Sequence, residues 1–453
     1  MKNPMKSLLC ILLSFVTIPA FSADFSISTF TVDVTIPLNH RCMGVLPTKS
    51  KSIADPLFAH GFVLSGGEQP VVLCALDWCE IRNGAFEQWR TALANAAGTT
   101  PQYVLVTALH QHDAPVVDLD AQNLLDQVGL NNELYQVDWH DETLARVTQA
   151  VKDSLELASP VTHYGTSEVK VDRIASNRRV VLQDGNITYG RGSNGGGNEY
   201  YAQAPEGAID PLLKTITFFN GKKALLQLHH YATHPMSYYG RGVVSADFVG
   251  LARARLQRDN QSIRQIFVPG CGGDVTAGKY NNGSEDHRQE LIDRLYNAMA
   301  AASRHTTRFP ITQIDVRNTK LSLPFHSGDH LTKEQLTKNL NNDELTTEKR
   351  ILAAMGLASR IRVEADKPLD FPCVDLGNAQ IALFPGETFI GYQLIAQQYA
   401  GKNFVMCIAY GDAWTGYLPT DATFNEDFKD TWLWVGPGSE QKIREAIKKV
   451  IRK

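Results

Sequence analysis

Apolar, β-branched runs alternate with helical patterns along the whole chain. "GFVLSGGEQPVVLCALD" (61–77) predicts a hairpin turning at Gly66-Gly67, and residues 84–97 then show helical spacing. "YVLVTAL" (103–109) is a continuous apolar run, as expected of a buried strand. Residues 141–157 are helical again. "LLKTITFFNGKKALLQLHHYATH" (212–234) predicts a second hairpin with Asn220-Gly221 as its turn. "RQIFVPG" (264–270) predicts a strand and 285–304 a helix. Residues 331–363 are charged and helical, which predicts a peripheral insertion. "AQIALFPGE" and "NFVMCIAY" are late strands, and a C-terminal helix starts near Ser439. The glycine-rich "GRGSNGGGNEYY" (190–201) reads as a flexible surface loop. No internal repeat is visible. The pattern predicts an α/β fold, one large domain with central β-sheets flanked by helices.

The ends of these apolar runs carry the polar chemistry. "TALHQHDAP" leaves a strand with His110 and His112; in extended backbone, residues two apart share a side and face one cavity. Taken alone, the pair reads more readily as two loop histidines. "HHYATHPMSYYG" repeats the placement, with His234 ahead of Pro235 where the chain leaves the sheet. His229 and His230 read as hydrogen-bonded core residues. In "VPGCGGDVTAG" the glycines can expose backbone N–H groups to a developing oxyanion, Asp274 can orient a ligand and Thr276 adds a hydroxyl. Cys271 reads as a nucleophile or, more commonly for a lone cysteine, as structural. The stretch lacks the Gly-Lys-Ser/Thr of a nucleotide phosphate loop. Glu387 in "LFPGETFIGY" reads as a carboxylate aimed into a cleft or as a favoured helix N-terminal acid. Tyr417 in "GDAWTGYLPT" reads as a ligand, a hydrogen-bond donor or a packing residue. Imidazoles and a carboxylate scattered over hundreds of residues suit catalytic zinc better than a compact structural module.

Composition narrows the setting. Charged residues make up 20% of the 453 and the formal net charge is −4, so no polybasic surface for nucleic acid is expected. Lys2 and Lys6, the apolar stretch Leu8 to Ile18 and the small-residue site Ala20-Phe21-Ser22 predict a secretory signal peptide over 1–22. The mature chain, 23–453, is then secreted or periplasmic, with no transmembrane anchor and with six cysteines whose pairing the sequence leaves open.

Together these stretches resemble the catalytic N-terminal domain of the neutral/alkaline, non-lysosomal ceramidase family. "ALHQHDAP" is similar to that family's His-x-His-Ser-Gly-Pro segment, and "HYATHPMS…VVSADFVG" to its Ala-x-His-Pro segment with a downstream Ser-Ala-Asp. "GCGGDVTAG" resembles its Gly-Asp-Val-Ser turn, "FPGE" its Pro-Gly-Glu, "TGYLPT" its tyrosine loop and "ASNRRVVLQDG" an Asn-Arg segment near the substrate, all in the family's order. The resemblance implies an amide hydrolase with a zinc site at strand ends. His110, His234, Glu387 and Tyr417 would be the zinc ligands, His112 would hold water or the substrate oxygen, and Arg178 would polarise the substrate. Thr276 stands where the family has its proposed nucleophilic serine, and Asp113-Ala114 where it has Ser-Gly. The family's further C-terminal β-sandwich is not expected, since the chain ends too soon for one. The implied substrate is a small-molecule or lipid-like N-acyl amide. The alternative from a different class is an exported, non-catalytic binding protein that keeps the scaffold. A zinc phosphoesterase is weaker, because only Arg178 and Arg179 offer phosphate partners.

Overall fold

Each predicted hairpin lies inside a larger unit, and the unit occurs three times. The computed structural model describes residues 25–426 and 428–453, so the expected signal peptide lies outside the described residues. In the first unit β1 (Ser26–Asp33), β2 (Phe58–Ser65) and β3 (Val71–Leu76) run antiparallel in succession. The chain crosses over through α1 (Asn83–Ala97) and returns as β4 (Val104–Ala108), parallel to β3. The second unit repeats this with β5 (His163–Lys170), β6 (Leu212–Asn220), β7 (Lys223–Tyr231), α2 (Asp247–Asp259) and β8 (Arg264–Pro269). The third does so with β9 (Asp315–Leu321), β10 (Leu369–Asp375), β11 (Ala379–Leu383), α3 (Ile390–Ala400) and β12 (Phe404–Ile408). Each sheet therefore has the order last, third, second, first, and in the first two sheets a further short strand, Ser159–Pro160 and Thr307–Pro310, pairs beyond the first. A repeat absent from the sequence is present in the topology, because the topology needs only matching polarity patterns and not matching residues.

The last strands of the three units meet at the centre. Ala108 N–H donates to Tyr410 C=O at 3.1 Å, and Ala409 N–H donates to Pro269 C=O at 3.0 Å. β4 is buried along its whole length, and β8 and β12 almost so, which explains their unbroken apolar runs. The parallel pairs end on the same side, so six strand ends open toward one another. This is the α/β architecture expected, with helices outside the sheets.

Two sequence expectations are corrected. Residues 331–363 form helices Lys333–Asn341 and Thr347–Glu364, and the second is not peripheral. Its Ala353, Ala354, Gly356 and Ala358 let it pack closely, and Ser359 Oγ accepts from the buried Arg82 guanidinium at 3.1 Å. The glycine-rich stretch is likewise tied down. Arg191 is wholly buried and donates to the C=O groups of Asn177, Pro205 and Glu206 at 2.8, 2.8 and 3.0 Å. A side chain at Gly278 would come within 2.0 Å of Gly192 C=O, so the glycines permit close docking and do not mark looseness.

Among the described residues no helix is long and apolar enough to cross a membrane. All six described cysteines are buried and unpaired.

Candidate metal centre

Two residues past β4 the chain turns sharply. His110 adopts φ 70°, held by its N–H donating to Trp78 C=O at 2.8 Å. This left-handed residue, and not the extended alternation expected from sequence, brings His110 and His112 together, their ring centroids 5.2 Å apart. His110 Nδ1 lies 3.0 Å from Cys79 C=O, which leaves Nε2 facing inward, 3.2 Å from Glu387 Oε2. Three residues past β7, His234 is arranged in the same way. Its Nδ1 is 2.5 Å from Gly272 C=O and its Nε2 is 2.9 Å from the same Glu387 Oε2.

Glu387 is set by the Pro-Gly turn. Gly386 takes φ 44°, and a side chain there would strike Thr415 Oγ1 at 2.0 Å. Glu387 then pairs in parallel register with Tyr417. The Arg178 guanidinium lies 5.5 Å from the Tyr417 ring centroid. Ligand atoms of His110, His112 and His234 all lie within 4.8 Å of one another, and those of Glu80, His110 and Glu387 form a second such group.

The protonation states of Glu387, His234 and His112 match a ligand set. Against its burial, Glu387 and Cys79 hold His110 well above the ordinary histidine range, so a metal would have to displace its proton. Burial opposes charge on Glu387, yet the two imidazoles hold its carboxyl well below the usual carboxylate range. Burial, reinforced by Arg178, lowers His234 to about 4. Burial and the neighbouring imidazoles push His112 well below the ordinary histidine range. Neutral imidazoles and an ionised carboxylate are the forms that bind metal. Both ring nitrogens of His112, and Nε of Arg178, are enclosed without a hydrogen-bond partner among the described residues. Such orphaned polar atoms are rare in folded proteins. Donor type, burial and unsatisfied nitrogens together fit a metal ion held here.

The other expected residues lie around this core in different capacities. Thr276 forms a backbone bridge with His234, but its Oγ1 accepts from Gly278 N–H at 2.9 Å. Asp274 accepts from Asn177 Nδ2 at 2.7 Å and from Ile390 N–H at 2.8 Å, while its C=O accepts from Arg178 N–H at 2.7 Å. Its carboxylate therefore ties the Arg178 segment to the first turn of α3. Four of the loop's N–H groups are engaged within the protein and are not offered to an oxyanion. Gly270, Cys271, Gly273 and Val275 already donate to Tyr231 C=O, the Gln393 side chain, Thr388 C=O and Gly272 C=O. Burial pushes the Cys271 thiol well above its usual range, which removes it as a nucleophile. His229 is hydrogen-bonded to Thr215 and Gln265, and His230 to Cys407 C=O, both in the core.

Sequence reading missed Glu80 and Tyr410. Glu80 lies four residues past β3, as Glu387 lies four past β11. It is fully buried, accepts from Arg82 at 3.0 Å and Trp432 Nε1 at 3.1 Å, and stands 4.0 Å behind His110 Nδ1. The rule that singled out His234 and Glu387, a polar residue just past an apolar strand, applies equally to "CALDWCE".

No protein-family model and no curated protein sequence matches the chain. Two solved structures share its fold. Neutral ceramidase from Pseudomonas aeruginosa superposes with a TM-score of 0.68 at 14% identity, over 95% of this chain and 75% of that one. A ceramidase complexed with C2 gives 0.68 at 13% identity, over 95% and 76%.

Proposed function

We propose that the protein is an exported, zinc-dependent hydrolase of an N-acyl amide bond. The observation that carries this is the convergence of His110, His112, His234 and Glu387 from three separate units into one buried cluster with unsatisfied nitrogens. The shared ceramidase fold and the motif resemblance support the amide as substrate. His110, His234, Glu387 and Tyr417 would hold the ion. Zinc there would supply Lewis acidity, polarising the amide carbonyl and lowering the pKa of water to roughly 7.

The chain's own residues do the rest. His112 stays neutral and neither of its ring nitrogens has a partner among the described residues, so it can hold the attacking water in place. Arg178 presents an enclosed, unpartnered N–H to the carbonyl oxygen as negative charge develops there. Thr276 is a poor covalent nucleophile, since a hydroxyl needs an adjacent base and its oxygen already accepts from Gly278. The substrate's acyl part has an apolar neighbourhood. A cavity of about 820 Å³ is lined by Leu336, Leu352, Phe424, Phe428 and Trp434 together with polar His326, Lys349 and Asp430, and its Phe428 packs edge-on against Tyr417 at 5.9 Å. A lipid-like amide suits that surface.

The test is elemental mass spectrometry of the purified protein beside His234→Ala, followed by a panel of N-acyl amides. One zinc per chain, lost in the variant together with hydrolysis, is the expected result. Zinc without turnover of any amide would favour the non-catalytic binding protein, which the departures at Asp113, Ala114 and Thr276 motivate. No metal in either protein would sink both zinc readings.

A further inference from the structure

The threefold architecture assigns equivalent places to residues of different chemistry. Two positions beyond its last strand, the first unit has His110, the second Cys271 and the third Tyr410. His110 and Tyr410 both hold positive φ, 70° and 54°. Non-glycine residues keep that conformation only where surroundings enforce it, and such positions gather at functional sites. The two rings stack, with centroids 4.4 Å apart and planes at 20°. The Tyr410 ring also meets His234 edge-on at 6.1 Å. Its hydroxyl is buried and has no hydrogen-bond partner among the described residues.

This phenol is not placed to ligate. An imidazole offers its lone pair in the ring plane, and Tyr410 lies parallel to that plane beside it. Nor does it hold the protein together through its hydroxyl, which bonds to nothing. A buried hydroxyl without a partner is unfavourable and calls for a bound group to satisfy it. The groups acting on it electrostatically include Glu387, Tyr417 and Arg178, so it belongs to the same enclosure. A neutral phenol is a hydrogen-bond donor.

We propose that Tyr410 is a substrate-binding residue whose hydroxyl donates to the acyl oxygen of a bound amide or of the carboxylate it yields, alongside Arg178. The choice of ligand class rests on the hydrolase reading above. Tyr410→Phe keeps the stacked ring and removes only the donor, so the fold is retained.

The probe is butyrate, titrated calorimetrically into the metal-loaded protein. Tyr410→Phe is expected to weaken butyrate binding about tenfold or more, with metal content unchanged and Tm unchanged or raised. Equal butyrate affinity in the two proteins overturns the proposal, as does loss of metal, which would make the phenol a ligand. A lowered Tm with unaltered affinity would make the hydroxyl structural. Failure of the native protein to bind butyrate also overturns it. The two readings separate cleanly. Amide hydrolysis with a KM indifferent to Tyr410→Phe leaves the hydrolase standing and removes this residue from it. Tyr410-dependent butyrate binding without turnover does the reverse.

Discussion

Glu387 and Tyr417 face each other across a two-residue parallel bridge, Glu387 N–H donating to the C=O of Gly416 at 2.9 Å. The bridge is made by backbone, so either side chain can be changed without dissolving it. Glu387→Gln removes the carboxylate charge that lies between His110 Nε2 and His234 Nε2 and is expected to abolish metal binding. Tyr417→Phe, which keeps the three other expected ligands, should retain the metal with affinity lowered roughly tenfold or more. Competition against a chromophoric chelator measures both. Equal affinity in Tyr417→Phe and the native protein would remove Tyr417 from the ligand set.

Glu80 Oε1 stands 4.0 Å from His110 Nδ1, which itself lies 3.0 Å from Cys79 C=O, so it acts on the imidazole by charge and not through a hydrogen bond. Glu80→Gln should lower metal affinity, by up to roughly tenfold. Its Oε2 pairs with Arg82 in a fully buried ion pair, so some loss of stability accompanies the change. Chelator titration at a temperature where the variant is folded distinguishes the two effects.

Thr276→Ala separates the water route from a covalent one. The Oγ1 bond to Gly278 N–H is lost, a cost of about 1 kcal/mol. Hydrolysis should persist within a few-fold of the native rate. Loss of turnover with metal still bound would restore the hydroxyl as nucleophile.

The cysteines should be silent toward thiol reagents. Burial pushes Cys79 up to about 11 and Cys42 and Cys373 up to about 12, and none of the six described is paired. Native protein is expected to resist alkylation near neutral pH and to expose all six thiols once unfolded in guanidinium. A shortfall in that unfolded count, read by mass, would mean disulfides have formed.

Acid should destabilise the fold before any carboxylate pair breaks. His40 is buried, its Nδ1 2.7 Å from Arg41 C=O while Nε2 accepts from Gln136 N–H at 3.3 Å. Burial lowers it to about 4, and His229 likewise to about 4. The folded state keeps these rings neutral while the unfolded chain protonates them near pH 6.5, so stability falls as pH drops from there toward 4. Each contributes on the order of 2–3 kcal/mol to that fall. Urea midpoints at pH 7.5 and 5 should differ less in His40→Gln than in the native chain. An unchanged difference would exclude His40 as a source.

Much of this was legible before any coordinates. Polarity alone located both hairpins and the buried strands, because β4, β8 and β12 are enclosed on both faces and show unbroken apolar runs. His110, His234 and Glu387 stood out because each follows such a run. What stayed hidden depends on contacts between distant segments. The helix over 347–364 reads as solvated because its charges are frequent, yet its small residues make it a wall. The stretch 190–201 reads as loose because glycine usually is, yet Arg191 fastens it beneath Asn177. Glu80 follows its apolar run at the same interval as Glu387 follows its own, but nothing in the sequence shows that it comes to lie beside His110.

The order of synthesis gives the three-unit plan a further meaning. His110 and His112 emerge early, His234 in the middle and Glu387 with Tyr417 near the end. A nascent chain released before residue 387 carries the imidazoles and Glu80 but neither Glu387 nor Tyr417. On the proposed ligand set, full coordination of a metal would then wait for completion of the polypeptide.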